Sequence, residues 1–88
     1  MSNETVELLR QRLDVLAAQS ISIEDESHRH AGHAGAKDGG HYKIAIVSAA
    51  FAGQNTMARH RLVYAAAGDL MQGRIHALSI RAMTPEEV

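Results

Sequence analysis

The amino-acid sequence predicts an α/β domain in which a three-stranded mixed sheet is packed on one side by helices. Helical and alternating hydrophobic patterns follow one another in the order αββααβ within 88 residues. The first two strand segments are joined without a helix and should pair antiparallel. A helical segment joins the second strand to the third, so these two should be parallel, with a right-handed crossover. One layer of helices on the sheet buries the apolar faces of both, and residues 1–88 are expected to form a single domain.

The first helix is predicted over about residues 3–18. Its apolar side chains recur at helical spacing, giving the stripe Val6, Leu9, Leu13 and Leu16. Ile21 and Ile23 then alternate with polar residues, which predicts a short strand that ends near Ser27.

Residues 28–41 predict a flexible loop. This segment holds four of the six histidines and four of the seven glycines. Glycine at such density costs a regular element too much backbone entropy. The more continuously apolar run 42–48 predicts the central strand of the sheet.

A short turn or a single helical turn is predicted over 49–53, followed by a longer helix that Asn55 or Thr56 caps and Gly73 ends. Its inward stripe is expected to be Met57, His60, Val63, Ala67 and Leu70. Gly68 inside this helix costs about 1 kcal/mol relative to alanine, which predicts either close packing or a local irregularity.

Residues 75–80 predict the third strand, and residues 84–87 have the cap, proline and acidic first turn of a further helix. Strand alternation places His76 on the face shared with Leu78 and Ile80, where a lone histidine is usually structural. Alternatively, His76 projects from a strand end beside the histidine-rich loop. The pattern leaves both arrangements open.

Composition excludes several classes of function. The chain has no cysteine, which rules out disulfides, thiolate nucleophiles and sulfur-only metal sites. No apolar run approaches the roughly 18 residues of a membrane span, and the N-terminal region is acidic where a signal peptide would be basic, so the expected location is the cytoplasm. Ser27, Ser48 and Ser79 lack the glycine-flanked turn of a hydrolase nucleophile, and we expect no enzyme.

Charge is unevenly distributed, although the net charge is only −1. Residues 1–27 carry six acidic and two basic side chains, whereas residues 57–81 carry four arginines and one aspartate. A basic patch this small predicts weak, salt-sensitive nucleic-acid binding at most.

The histidines of the loop are the sharpest chemical signal. His28, His30 and His33, with His41 at the end of the loop, offer neutral imidazoles that suit zinc, copper or iron. The alternative is that they are tolerated polar residues, since no carboxylate or cysteine completes a closed site. On the long helix, Arg59 and Arg61 could bind phosphate, but their spacing favours solvated arginines flanking a packed His60.

Six stretches, in this order and with matching gaps, give the chain a resemblance to the BolA family. They are Asp-Glu-Ser-His-Arg-His-Ala-Gly-His (25–33), His-Tyr-Lys-Ile-Ala-Ile-Val-Ser (41–48), Phe-Ala-Gly (51–53), Ala-Arg-His-Arg-Leu-Val-Tyr (58–64), Arg-Ile-His-Ala-Leu-Ser-Ile (74–80) and Met-Thr-Pro-Glu-Glu (83–87). No single stretch is decisive, but jointly they are highly specific. The resemblance implies a fold similar to the type II KH domain.

The resemblance also implies a role in iron-sulfur cluster handling with a monothiol glutaredoxin partner. In such complexes a 2Fe-2S cluster is shared, and the glutaredoxin and its glutathione supply sulfur. The ligand positions of the family map onto His76 and His30, with His33 and His28 as alternatives for the loop ligand. The isolated chain is then expected to bind no cluster and to be a monomer or a weak homodimer.

A histidine-ligated cluster is expected to be labile and responsive to redox state or pH. Neutral imidazole leaves the cluster less negative than thiolate does, which raises its reduction potential, as in Rieske centres. Protons compete with the metal for imidazole nitrogens, so binding should weaken at acidic pH.

Two other functions are compatible with the sequence. Some BolA-like proteins are described as DNA-binding regulators, and here Arg59 and Arg61, helped by Arg74 and Arg81, would bind DNA weakly. RNA binding is not expected, because residues 48–56 hold one glycine where KH domains use a pair. The third hypothesis is a partner-independent zinc or nickel site in the histidine loop, without His76.

Overall fold

The computed structural model describes residues 4–26 and 40–88, and its elements follow the predicted order. The helices are α1 (Glu4–Leu13) and α2 (Thr56–Ala67), and the strands are β1 (Ser20–Asp25), β2 (Gly40–Val47) and β3 (Ile75–Met83). Short 3₁₀ turns cover Asp14–Leu16, Ala49–Phe51, Gly68–Met71 and Pro85–Glu87. In the sheet β2 lies in the centre, antiparallel to β1 and parallel to β3. The predicted α/β class with a three-stranded mixed sheet is confirmed.

One face of the sheet forms the core with the helices. On β2 the buried residues alternate, as Tyr42, Ile44 and Ile46 do, because successive side chains point to opposite faces. They join buried side chains of both helices and of the connecting turns, namely Leu9, Leu13, Phe51, Val63, Ala67, Leu70 and Ile75. Burial of these apolar side chains is the main stabilising contribution to so small a domain.

Ser48, almost fully buried, fixes the end of the central strand. Its hydroxyl donates to the carbonyl oxygen of Leu16 at 2.6 Å and accepts from the backbone N–H of Ala50 at 3.0 Å. Burying a hydroxyl is tolerated because both hydrogen-bonding roles are filled. The turn after α1 is thereby tied to the turn after β2.

The first helix is shorter than predicted. It ends at Leu13, is continued only by the 3₁₀ turn Asp14–Leu16, and stops where Ala17 adopts a left-handed conformation with φ 50°. The predicted apolar stripe is nevertheless confirmed, since Leu9 and Leu13 are buried and Val6 and Leu16 pack against the core.

The second helix also ends earlier than predicted. Asn55 is its cap, with Oδ1 accepting from Ala58 N at 2.8 Å. The helix ends at Ala67 rather than near Gly73, because Gly68 has φ 56° and ψ −128°, a conformation that only glycine adopts readily. A Cβ on Gly68 would also lie 3.2 Å from Arg12 Nη1, so the irregularity and the close approach both occur.

Met57 does not belong to the inward stripe, contrary to the prediction. Its side chain is 64% exposed, whereas Val63 and Ala67 are buried. Six residues correspond to about 600° of helical rotation, which places Met57 roughly 120° around the helix from Val63. His60 is half-buried, and Leu70 is buried in the 3₁₀ turn that follows α2.

Candidate functional site

An irregularity in strand pairing sets the position of His76. Gly40 pairs with Ile75, but the next residue, His41, pairs with Ala77. His76 is therefore an extra residue on β3, a β-bulge in a parallel pair. Bulges commonly re-aim a side chain next to a functional site.

The bulge turns His76 away from the core. Ile75 is buried and His76 is exposed, and Leu78 and Ile80 then pack against the core. The prediction that His76 shares a face with Leu78 and Ile80 is wrong, because the extra residue shifts the alternation by one. The structure instead shows the other arrangement, in which His76 projects near the beginning of its strand.

His41 belongs to the central strand and not to the loop that was predicted to extend over 28–41. The strand begins at Gly40, so His41 lies on the face opposite Tyr42. The backbone N–H of Glu26 donates to the carbonyl oxygen of His41 at 2.7 Å, and Gly40 N donates to Arg74 O at 3.1 Å. These bonds join the neighbouring strands at the position of the two histidines.

His41 and His76 form a pair at this end of the sheet. Their ring centroids are 5.1 Å apart and the ring planes are tilted by 43°. Within 4–26 and 40–88, no group of three or more histidine, cysteine, aspartate or glutamate side chains is placed to hold a metal ion. The two imidazoles are neighbours, but by themselves they do not form a closed metal site among the described residues.

Sequence reasoning missed His41 as a partner of His76, although a signal was available. His41 directly precedes the apolar run 42–48, so it could have been read as the first outward residue of the strand. The predicted ligand His30 and its alternatives His28 and His33 lie outside the described residues. Their assignment therefore stays a prediction.

Among residues 4–26 and 40–88, no helix covers the sheet face beside the histidine pair. Residues that pair across β2 and β3 point to one face, and the face away from the helices presents Lys43 and Arg81 around the small side chains Ala45, Ala77 and Ser79. Small side chains make this surface flat.

The four arginines proposed to bind DNA are not gathered into one patch. Arg59 binds Ala82 O at 3.1 Å, near the end of β3, whereas Arg74 precedes the strand. These two ends are separated by about 25 Å of extended chain. Arg59 and Arg74 therefore lie near opposite ends of β3.

Two of these arginines are also engaged in ion pairs. The side chain of Arg59 is only 14% exposed and pairs with Glu87 at 2.6 Å, so the expectation that it is solvated is wrong. Arg74 pairs with Glu4 at 2.8 Å, and Arg61 contacts the sulfur of Met57 at 3.6 Å. Arg81 is exposed on the open sheet face.

A comparison with family models decides the family. The model described as BolA-like protein matches residues 12–87. The chain belongs to the BolA family. Its curated BolA relatives include the chloroplastic protein BOLA1 of Arabidopsis thaliana, 46% identical over 71 residues, which are 76% of this chain and 44% of that protein. BolA-like protein 1 of Mus musculus is 36% identical over 80 residues, 90% of this chain and 57% of the relative.

Solved BolA structures agree with the fold. The BolA domain of SufE1 from Arabidopsis thaliana matches with a TM-score of 0.83 and 38% identity, covering 100% of this chain and 99% of that one. BolA1 from Arabidopsis thaliana matches with a TM-score of 0.81 and 35% identity, at the same coverage. The chain spans between about a quarter and three fifths of the length of the first curated relatives, 23% for SufE-like protein 1 and 57% for the mouse protein.

No helix in the described part of the chain has the length and apolar character needed to span a bilayer.

Proposed function

We propose that this BolA-like chain is the partner of a monothiol glutaredoxin and binds a shared, labile 2Fe-2S cluster through histidine ligands. The cluster is either cargo that is passed on in iron-sulfur trafficking, or the group whose presence signals iron or redox state. The glutaredoxin and its glutathione supply sulfur ligands, and this chain supplies imidazole nitrogen. A cytoplasmic location, and a monomer or weak homodimer when the chain is alone, remain part of the proposal.

The observation that carries the proposal is the exposed His76 on its bulge, with His41 beside it. A histidine that is structural is normally packed and satisfied, whereas this one is turned outward by an extra residue in the strand. Because the described residues do not complete a metal site, the arrangement suits a site that closes only when another molecule adds ligands.

The donor set fits the group. Imidazole nitrogens bind iron in Rieske-type 2Fe-2S centres, where two histidines replace two cysteines on one iron. The chain has no cysteine, so sulfur ligands must come from the partner. Among the described residues, the sheet face of Lys43, Arg81 and the small residues between them gives the partner a flat approach. Glu24 stands opposite Lys43 across β1 and β2, which leaves Arg81 as the cation of this face that favours anionic groups of the partner.

Reconstitution tests the proposal. The chain is mixed with a monothiol glutaredoxin, glutathione, ferric iron and sulfide, and the product is followed by visible absorption and circular dichroism. We expect a heterodimer whose spectrum differs from that of the glutaredoxin alone. His76→Ala should abolish this spectrum, while His60→Ala, which removes a histidine from α2, should keep it.

One result of the reconstitution would contradict the proposal. If His76→Ala folds normally and gives the wild-type spectrum, the chain does not bind the cluster through this histidine. Far-UV circular dichroism of each variant confirms that it is folded before the comparison is made.

A further inference from the structure

We infer that the outer edge of β1 binds the same edge of a second copy of this chain, so that two sheets join into one around a two-fold axis. The two β1 strands run antiparallel, and Ser22 of each copy lies opposite Ser22 of the other. This inference goes beyond the proposed function, because it concerns the edge of the sheet that lies across β2 from β3 and His76.

The hydrogen-bonding pattern of β1 leaves alternate backbone groups on its outer edge. Glu26 N donates at 2.7 Å to the carbonyl oxygen of His41, the residue that continues the register of β1 and β2. In an antiparallel pair, such bonded positions alternate with positions whose N–H and C=O point the other way. The backbone groups of Ile21 and Ile23 therefore point away from β2. Arg10 Nη1, which lies 3.4 Å from Ile21 O, is found on that side.

In the part of the chain that the structure describes, only β2 pairs with β1, so β1 is an edge strand. Its six residues, Ser20–Asp25, keep an unshifted register with β2. They include neither proline nor lysine, two residues that commonly protect exposed edges from pairing. A regular edge of this kind is a template for another strand.

The side chains of β1 suit pairing with an identical strand. Ile21 and Ile23 are half-buried on the side of the helices, where each can contact an isoleucine of the other copy. On the opposite face, Ser20 and Ser22 are small and exposed. Neither face therefore keeps the two strands from the usual spacing of about 4.7–4.9 Å.

Charge favours a second copy in the antiparallel orientation. Residues 24–26, at the C-terminal end of β1, are all acidic, whereas Arg10 lies at its N-terminal end. A parallel arrangement would bring two acidic ends together, and like charges side by side are destabilising. Pairing about Ser22 moves each acidic end towards Arg10 of the other copy, and Ile21 of one copy then pairs with Ile23 of the other.

The seam is small, so the association is expected to be weak. Reciprocal pairing of Ile21 with Ile23 supplies about four backbone hydrogen bonds. Two strands of this length bury far less than the roughly 1,200–2,000 Å² of a stable protein–protein interface. The isolated chain is therefore expected to be a monomer in dilute solution and to form the dimer at millimolar concentration.

A cysteine substitution tests the seam at one defined position, since the chain has no cysteine of its own. The two Ser22 residues form a non-hydrogen-bonded pair with Cα atoms about 4.5 Å apart, within the range that a disulfide spans. With oxidised glutathione as the oxidant, Ser22→Cys should form a disulfide-linked dimer about tenfold faster than Ser79→Cys, because the dimer raises the effective concentration of the thiols. Ser79 is the matched control, exposed on the same sheet face but in β3. Equal rates would mean random collision and would overturn the inference.

Dilution of the unmodified chain, followed by ¹⁵N amide NMR, gives a second measurement. We expect the amide protons of Ile21 and Ile23 to move downfield as concentration rises, because they gain hydrogen bonds. Ser22→Lys should abolish this concentration dependence, since it places two like charges directly opposite each other. Ser79→Lys adds the same charge to β3 and should keep it.

The dilution experiment has a clear contrary result. If the amides of Ile21 and Ile23 do not shift up to millimolar concentration, or if the shifts lie on another surface, the edge of β1 does not bind a second copy and the inference is wrong. The proposed function is unaffected in either case, because it is tested separately through His76.

Discussion

At the scale of single residues, Arg59 joins the start of α2 to the turn Pro85–Glu87. Its guanidinium donates to both carboxylate oxygens of Glu87, at 2.6 and 3.0 Å, and to Gln54 O and Ala82 O. Thr84 N donates to Glu87 Oε1 at 2.9 Å, which closes a capping box. One carboxylate thus holds a helix start, a strand end and a turn together.

This environment makes Glu87 a pH-dependent contribution to stability. Hydrogen bonds from Arg59, and then from the Thr84 backbone, lower the pKa of Glu87 from 4.5 to about 2. Because the folded-state pKa lies below the unfolded value, the stabilisation is present above pH 4.5 and is lost as pH falls from 4.5 to about 2. Glu87→Gln should therefore melt at a lower temperature than wild type at pH 7, with a difference that shrinks across this window.

Thermal unfolding by circular dichroism between pH 7 and pH 2 measures the effect. Glu86→Gln, at the exposed neighbouring carboxylate, is the matched control and should change the melting temperature little at any pH. A gap between Glu87→Gln and wild type that stays constant down to pH 2 would show that the ionised carboxylate is not the cause.

At the scale of elements, the end of α1 depends on an unusual backbone conformation. Ala17 has φ 50° and ψ 48°, and its N–H donates to Asp14 O at 2.9 Å. A left-handed conformation costs a non-glycine residue about 1–2 kcal/mol. Alanine occupies this position, although glycine would adopt the same backbone conformation without strain.

Exchanging alanine for glycine should therefore have opposite effects at two positions. Ala17→Gly relieves the left-handed strain but makes the unfolded chain more flexible, so we expect a net gain of about 0.5–1 kcal/mol in the free energy of unfolding. Ala65→Gly, at an exposed position inside α2, should lose about 1 kcal/mol. Urea unfolding measures both. If both variants are destabilised equally, Ala17 is not strained.

The sequence predicted the elements better than their ends. Stripes such as Leu9 and Leu13 repeat over several turns, so their period identifies a helix even when single residues deviate. The end of α1 at Ala17 has no such signal, because alanine is a good helix former and only the tertiary structure imposes its left-handed conformation. At Gly68 the glycine did signal an irregularity, but the approach of Arg12 requires the fold.

The same limit applied to the candidate site. The sequence Ile75, His76, Ala77 matches the alternation of inward and outward side chains in a regular strand. The extra residue is recognised only from the pairing of β3 with β2. The sequence pattern therefore placed His76 on the wrong face, and its role as a ligand stays a prediction. The sequence pattern places His41 in the loop, because the glycines before it obscure the start of the strand at Gly40.

At the scale of the whole molecule, the residues of the core and the candidate ligands lie on different parts of the sheet. The helices and the buried side chains lie on one face, and the histidine pair, Lys43 and Arg81 are found on the other or at its end. Parallel pairing of β2 and β3 brings the N-terminal ends of these strands together, which is why histidines 35 positions apart in sequence meet. In the described part of the chain, the core is thus separate from the face on which the proposed partner would dock.

Pulsed EPR of the reduced complex tests the central claim most directly. Only this chain carries ¹⁵N-histidine, while the glutaredoxin and glutathione are unlabelled. The account predicts strong coupling between the cluster spin and ¹⁵N ring nitrogens, and no shared-cluster signal at all from His76→Ala. A reduced 2Fe-2S signal from the heterodimer without any ¹⁵N coupling would mean that all its ligands are sulfur or come from the partner, and would contradict the account.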